Sequence, residues 1–247
     1  MKSWLIFVII LTEFCFVDST VSFLQKSKDE ILELRNNISQ TNTFEQGKAD
    51  LIFLLDESGS LSITNFYDEK RFVRNLLNNI FVAKEATRVE VIPFATKAER
   101  YIDYISNFNH DLEQSKCTFN VKFGKLEFWS GLTNMHDAFK LAYEVVGGKD
   151  SGAKRKKNVL TVLILISDGL WNEGGDPAKW ANKLKSLKTE IFTVAVGAYT
   201  VHQTLKSLAT SSEHAFYLSN FDQFKELAVY IRGGKFKYVF RSKVVQR

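Results

Sequence analysis

Three observations predict a doubly wound α/β fold, a mostly parallel sheet flanked by helices. Leu51-Ile52-Phe53-Leu54-Leu55 and Val159 to Ile166 are near-continuous apolar runs, the pattern of parallel strands buried on both faces. Both runs end on an acid: Asp56 follows the first, and Ser167-Asp168 closes the second. From Ala49 to Ile231, short apolar runs alternate with segments of helical periodicity, as βαβ units require.

The elements follow in order. Leu24, Ile31, Leu34 and Ile38 recur at helical spacing among charged residues, so residues 20–47 read as an amphipathic helix and a polar connector. The main domain spans residues 48–232 and starts with the strand Ala49 to Leu55. A helix capped by Thr64 or Asn65 comes next and buries Val73, Leu76, Leu77 and Ile80. Arg88 to Ala95 is a second buried strand with Pro93 near its exit or at a bulge, and Tyr101 to Ile105 a shorter edge strand. Asn109 to Phe123 reads as one helix and a loop. The loop Gly131-Leu132-Thr133-Asn134 leads into a helix that buries Met135, Ala138, Phe139, Ala142 and Val145 and ends at Gly147-Gly148.

The charged stretch Lys149 to Lys157 is a solvated loop before the strand Val159 to Ile166. Asp176-Pro177 starts a helix, with proline at the tolerated first position. Ile191 to Val196 is another strand, and Val201 to Ala209 and Phe221 to Ile231 are helices around a last strand at Phe216 to Leu218. The basic tail, residues 233–247, is frayed or loosely docked.

The chain of 247 residues is 45% hydrophobic and 25% charged, enough for one sizeable core. Its net charge of +5 suits loose contact with acidic surfaces, including weak contact with an acidic polysaccharide through Lys154-Arg155-Lys156-Lys157. No basic stripe interleaved with aromatics marks a nucleic-acid binder. Residues 1–19 read as a cleaved secretory signal: Lys2 gives the positive start, Trp4 to Val17 is mostly apolar, and Val17-Asp18-Ser19 offers cleavage positions. That run is too short to span a membrane and no second long one follows, so a secreted, extracellular protein is expected. Cys15 leaves with the signal. Cys117 then stands alone, as a buried inert thiol or as a partner in an intermolecular bond, and the buried thiol is expected. Asn37-Ile38-Ser39 is a glycosylation acceptor pattern in a secreted chain.

In open α/β sheets, ligand groups gather past the carboxyl ends of the strands. Asp56, Ser58 and Ser60 lie there, and the alternation lets one turn present all three side chains to a common point. Thr133 and Asp168 come from two other loops that a doubly wound sheet brings to the same switch point. Two carboxylates and three hydroxyls, without sulfur or imidazole, suit a hard divalent cation: Mg²⁺ first, with Mn²⁺ and Ca²⁺ as alternatives. Neutral hydroxyls leave the ion's charge largely uncancelled. It therefore retains affinity for one anionic ligand, such as a Glu or Asp carboxylate of a partner protein.

Asp56-x-Ser58-x-Ser60, Gly131-x-Thr133 and Ser167-Asp168-Gly169 together resemble the metal-ion-dependent adhesion site of von Willebrand factor type A domains. The resemblance covers Ala49 to Ile231. It implies that Ser58, Ser60 and Thr133 contact the ion through their hydroxyls, and that Asp56 and Asp168 act mainly through water. It also implies an extracellular protein ligand bound through the metal.

Enzymatic readings are poorly served. Ser58 stands where a phosphatase-like site would need a second acid, and no Gly-x-Ser-x-Gly elbow or phosphate-cradling loop is present. His110, His136, His202 and His214 show no metal-ligand spacing, and His136 reads as a helix-surface residue. The competing reading is a structural matrix-assembly module that binds by charge and surface contacts, without metal.

Overall fold

The strand β1 (Lys48–Asp56) is the hub of a six-stranded sheet. A computed structural model describes Lys26 and residues 28–33, 48–78, 80–105, 114–147 and 159–233. Parallel to β1 on one side runs β2 (Arg88–Phe94), with the two-residue antiparallel β3 (Ile102–Asp103) beyond it. On the other side β4 (Val159–Ser167), β5 (Glu190–Val196) and β6 (Ala215–Leu218) follow in parallel. The order β3-β2-β1-β4-β5-β6 reverses direction between β1 and β4, which opens a crevice at the carboxyl ends of those two strands.

Alternation along β1 explains its unbroken apolar run. Leu51, Phe53 and Leu55 join one core while Ile52 and Leu54 join the other, and all five are fully buried. The first core is closed by α1 (Ile63–Leu76), α2 (Lys116–Gly124) and α6 (Phe221–Gly233). The second is closed by α3 (Met135–Gly147), α4 (Ala178–Ser186) and α5 (Tyr199–Leu208). All five predicted inward residues of α3 are buried. The helical residues 28–33 dock on the same layer: Ile31 is buried in the first core, and Lys28 pairs with Glu226 of α6 at 3.5 Å.

Pro93 is the penultimate residue of β2, near the strand's exit and in unbroken register rather than at a bulge, and the ladder tolerates it. Phe94 O accepts from Glu57 on the β1 side, whereas Pro93 O accepts from Glu99 on the outer side, so the missing N–H also points away from β1. The cap of α1 is Ser62, not Thr64 or Asn65. Its hydroxyl accepts from Asn65 N at 3.1 Å, so Asn65 is the donor that the cap satisfies. Asp176 Oδ1 accepts from Ala178 N at 2.8 Å, so Asp176 supplies the oxygen at the start of α4 and Pro177 is its cap residue.

Cys117 is exposed, which corrects the buried thiol. Phe119 and Phe123 take the inner stripe of α2, and a residue two positions before Phe119 falls on the far side of a 3.6-residue turn. The signal at residues 1–19, Asn37, the stretch Lys149–Lys157 and the tail after Gly233 lie outside the described residues.

Candidate metal site

Asp56 is the last residue of β1 and is fully buried. Its two oxygens are held separately. Oδ1 accepts from Ser58 N at 2.9 Å, and Oδ2 accepts from Ser167 Oγ at 2.5 Å, across the seam between β1 and β4. The loop that follows turns back at once. The Ser58 and Ser60 hydroxyls hydrogen-bond each other at 3.1 Å, and Ser60 Oγ donates to Asp168 Oδ1 at 2.9 Å. Four of the five predicted residues thus form one continuous network with Ser167.

Thr133 arrives through its backbone. Its N–H donates to Asn172 Oδ1 at 2.7 Å, and its carbonyl accepts from Asn172 N and Glu173 N. That ties its loop to the segment following Asp168. The same loop meets the Ser58–Ser60 turn where Gly59 N donates to Gly131 O at 2.8 Å. Gly131 has φ of +151°, and a Cβ there would lie 2.7 Å from Thr96 Oγ1. Only glycine fits the bend that sets Thr133 facing inward, where it is 3% exposed.

Burial dominates the electrostatics. It raises Asp56 to about 6 and Glu57 to about 7, and it raises Asp168 as well. Hydrogen bonds from Ser167 and Ser58 to Asp56, and from the Trp129 backbone to Glu57, oppose that shift without cancelling it. Glu69, on α1, is raised well above the usual range by complete burial and then by the charges of Asp56, Asp168 and Glu57. The charges that push Asp56, Glu57 and Glu69 further up are those of other carboxylates.

That arrangement fits a divalent cation. Among the described residues, no trio of His, Cys, Asp and Glu gathers as a conventional metal cluster. The donors here are chiefly hydroxyls, with carboxylates behind them, and such a set suits a hard ion that keeps waters. His136 takes no part. Its Nε2 accepts from Trp180 Nε1 at 2.8 Å, so it braces α3 against α4 rather than lying free on the helix surface.

Sequence reasoning missed three contributors. Ser167 was legible only as a neighbour of Asp168 in the Ser167-Asp168-Gly169 stretch, without a role of its own, yet it is the donor that orients Asp56. Asn172 carries no sequence signal beyond being an amide in a loop. Glu69 had one: it is an acid on the stripe of Phe66, Val73 and Leu76, where helical spacing calls for an apolar residue.

Comparison with known proteins agrees with the fold. The chain is 33% identical over 187 residues to the sushi, von Willebrand factor type A, EGF and pentraxin domain-containing protein 1 of Mus musculus, a match covering 74% of this chain and 5% of that protein. It is 25% identical over 191 residues to Matrilin-2 of Mus musculus, covering 76% of this chain and 19% of the relative. The chain therefore spans a small fraction of these relatives' length. Among solved structures it resembles proximal thread matrix protein 1 from the mussel byssus, with a zinc-occupied MIDAS motif, at TM-score 0.62 and 20% identity, covering 75% of this chain and 47% of that one. The family model of the von Willebrand factor type A domain matches residues 50–228, and the chain belongs to that family.

Proposed function

We propose that this chain is a secreted adhesion module that binds an extracellular protein ligand through a divalent cation. Asp56, Ser58, Ser60, Thr133 and Asp168 would hold the ion, and a Glu or Asp carboxylate of the partner would complete its coordination. The observation that carries this reading is the convergence of three loops at the switch point, two bearing hydroxyls and one bearing Asp168, over a carboxylate already oriented by Ser167 and Ser58.

The bound cation would supply positive charge for an acidic ligand, and the chain's own residues do the rest. Asp56 and Asp168 orient the hydroxyls, and the Thr133 loop is fixed by Asn172. The surroundings favour a protein partner over a small ion. Leu132 and Leu170, next to Thr133 and close to Asp168, are 46% and 42% exposed, and Trp129 is 75% exposed. Exposed large apolar side chains, an aromatic among them, are what the buried part of a protein contact is enriched in. The reading calls for binding without turnover. Mg²⁺ is the proposed ion, with Mn²⁺ and Ca²⁺ as alternatives. Secretion and glycosylation at Asn37 belong to the same proposal.

Calorimetric titration with Mg²⁺, Mn²⁺, Ca²⁺ and Zn²⁺, beside Asp56→Ala and Thr133→Ala, tests the site. One-site binding lost in the Asp56 variant is the expected result, and equal heats in all three proteins would overturn it. Partner capture from extracellular matrix extract should then fail in EDTA. Capture that survives EDTA and weakens with salt would instead identify a charge-driven assembly module.

A further inference from the structure

The most anomalous side chain among the described residues is Glu69. It lies on α1 at helical spacing from Phe66, Val73 and Leu76, all of them buried in the first core. It is 0% exposed, and both carboxylate oxygens lack a hydrogen-bond partner. Native proteins leave few buried polar atoms unpaired, and those that remain usually serve a water, an ion or a functional strain. An apolar residue at this place would extend the stripe without cost. Glu69 instead brings a carboxyl among other carboxyls: the charges that act on it are those of Asp56, Asp168 and Glu57, in that order.

We infer that Glu69 is a positioning residue for the metal site, holding from the α1 side the waters that surround a cation bound at Asp56, Ser58, Ser60, Thr133 and Asp168. The inference rests on the metal reading proposed above. Both Glu69 oxygens are free to accept hydrogen bonds, and each water on a divalent cation offers two donors made strong by the ion's charge. Asp56 cannot take that role, since both its oxygens are engaged by Ser58 and Ser167. Glu69 thus adds negative charge to the site without displacing a ligand. Divalent affinity rises with the number of such charges. The cost falls on the metal-free protein, which keeps an unpaired acid inside its core.

That trade gives the test two readouts that a merely structural role would move together. Mg²⁺ and Mn²⁺ are titrated calorimetrically into the full chain, into Glu69→Gln and into Glu69→Met, which is apolar and of similar length. Melting temperatures of all three are measured in EDTA. Outer carboxylates of metal sites typically account for about tenfold to a hundredfold in affinity, and a loss of that size is expected in both variants. Metal-free Glu69→Met should melt at or above the wild-type temperature.

Unchanged Mg²⁺ affinity in the variants, beside a wild type that binds, overturns this inference and leaves the metal site standing. Loss of affinity that comes with a lower metal-free melting temperature in both variants, or with failure of both to fold, also overturns it, because Glu69 is then a packing residue. A wild type that binds neither ion overturns the metal reading itself.

Discussion

Ser167 Oγ donates to Asp56 Oδ2 at 2.5 Å and joins the last residues of β4 and β1 across the switch point. Both residues are fully buried, so neither finds a substitute in solvent. Ser167→Ala should leave that Asp56 oxygen unpartnered and lower folding stability by about 1–3 kcal/mol. Urea denaturation with and without Mg²⁺ checks it. The loss is expected to be accompanied by weaker Mg²⁺ binding, because the freed carboxylate no longer holds one orientation.

At the other end of the same strand, Arg88 binds Asp50 through two bonds, Nε to Oδ1 at 2.8 Å and Nη2 to Oδ2 at 2.5 Å. The two residues are direct partners in the β1–β2 register and lie about 20 Å along β1 from Asp56. Arg88→Met leaves Asp50 buried and loses this pairing, so a cost of about 3–5 kcal/mol is expected by urea denaturation. Metal affinity of the folded fraction should match wild type, given the distance.

The pH dependence of the metal-free protein follows from Asp56 and Glu57, raised by burial to about 6 and about 7 from the ordinary carboxylate values of 3.8 and 4.5. A carboxyl whose folded pKa exceeds its unfolded value holds its proton more tightly in the fold. Its contribution to stability is therefore full below the unfolded pKa and is lost as pH rises through the folded one. These two groups should make the protein in EDTA less stable as pH climbs from about 4 to about 7. Melting curves across that range should show a shallower slope for Glu57→Gln than for wild type, and identical slopes would remove Glu57 as a cause.

Gly131→Ala would place a Cβ 2.7 Å from Thr96 Oγ1 at a φ of +151°. Forcing a side chain into that conformation should cost about 1–3 kcal/mol. Mg²⁺ affinity measured by calorimetry should fall with it, since the same bend sets Thr133 inward.

Cys117, exposed on α2, should react with a thiol reagent in the native protein nearly as fast as in denaturant. Cys117→Ser should shift stability by less than about 0.5 kcal/mol in urea denaturation, as for other surface positions. Protection of the thiol in the native protein would restore the buried assignment.

Much of the architecture is legible in the sequence because its signals are local. An unbroken apolar run such as Leu51 to Leu55 needs two covered faces, and both cores bear that out. Acids and hydroxyls at strand ends have few places to go in a doubly wound sheet, and four of the five candidate residues do meet in one hydrogen-bonded network there. The burial of Met135, Ala138, Phe139, Ala142 and Val145 followed from period alone.

Features that several local readings fit equally well, or that depend on partners distant in sequence, were not legible. The cap of α1 went to Ser62 rather than Thr64 or Asn65, because several adjacent polar residues suit a cap and only chain direction selects among them. Cys117 looked buried by residue type, yet helix phase set by Phe119 and Phe123 turned it outward. Ser167 and Asn172 act on residues 111 and 39 positions away, and no periodicity encodes such a bond.

The sequence by itself determined the layered fold, the strand order's switch point as a place for chemistry, and the residue types gathered there. Periodicity and chain-end chemistry are properties of neighbouring residues, and neighbouring residues are what a sequence displays. Tertiary structure alone decided that Ser167 orients Asp56, that Asn172 fixes Thr133, and that Glu69 lies buried without a hydrogen-bond partner. Each depends on which loops and helices the packed sheet brings together, because the strength of a hydrogen bond or a buried charge is set by distance and desolvation rather than by position along the chain.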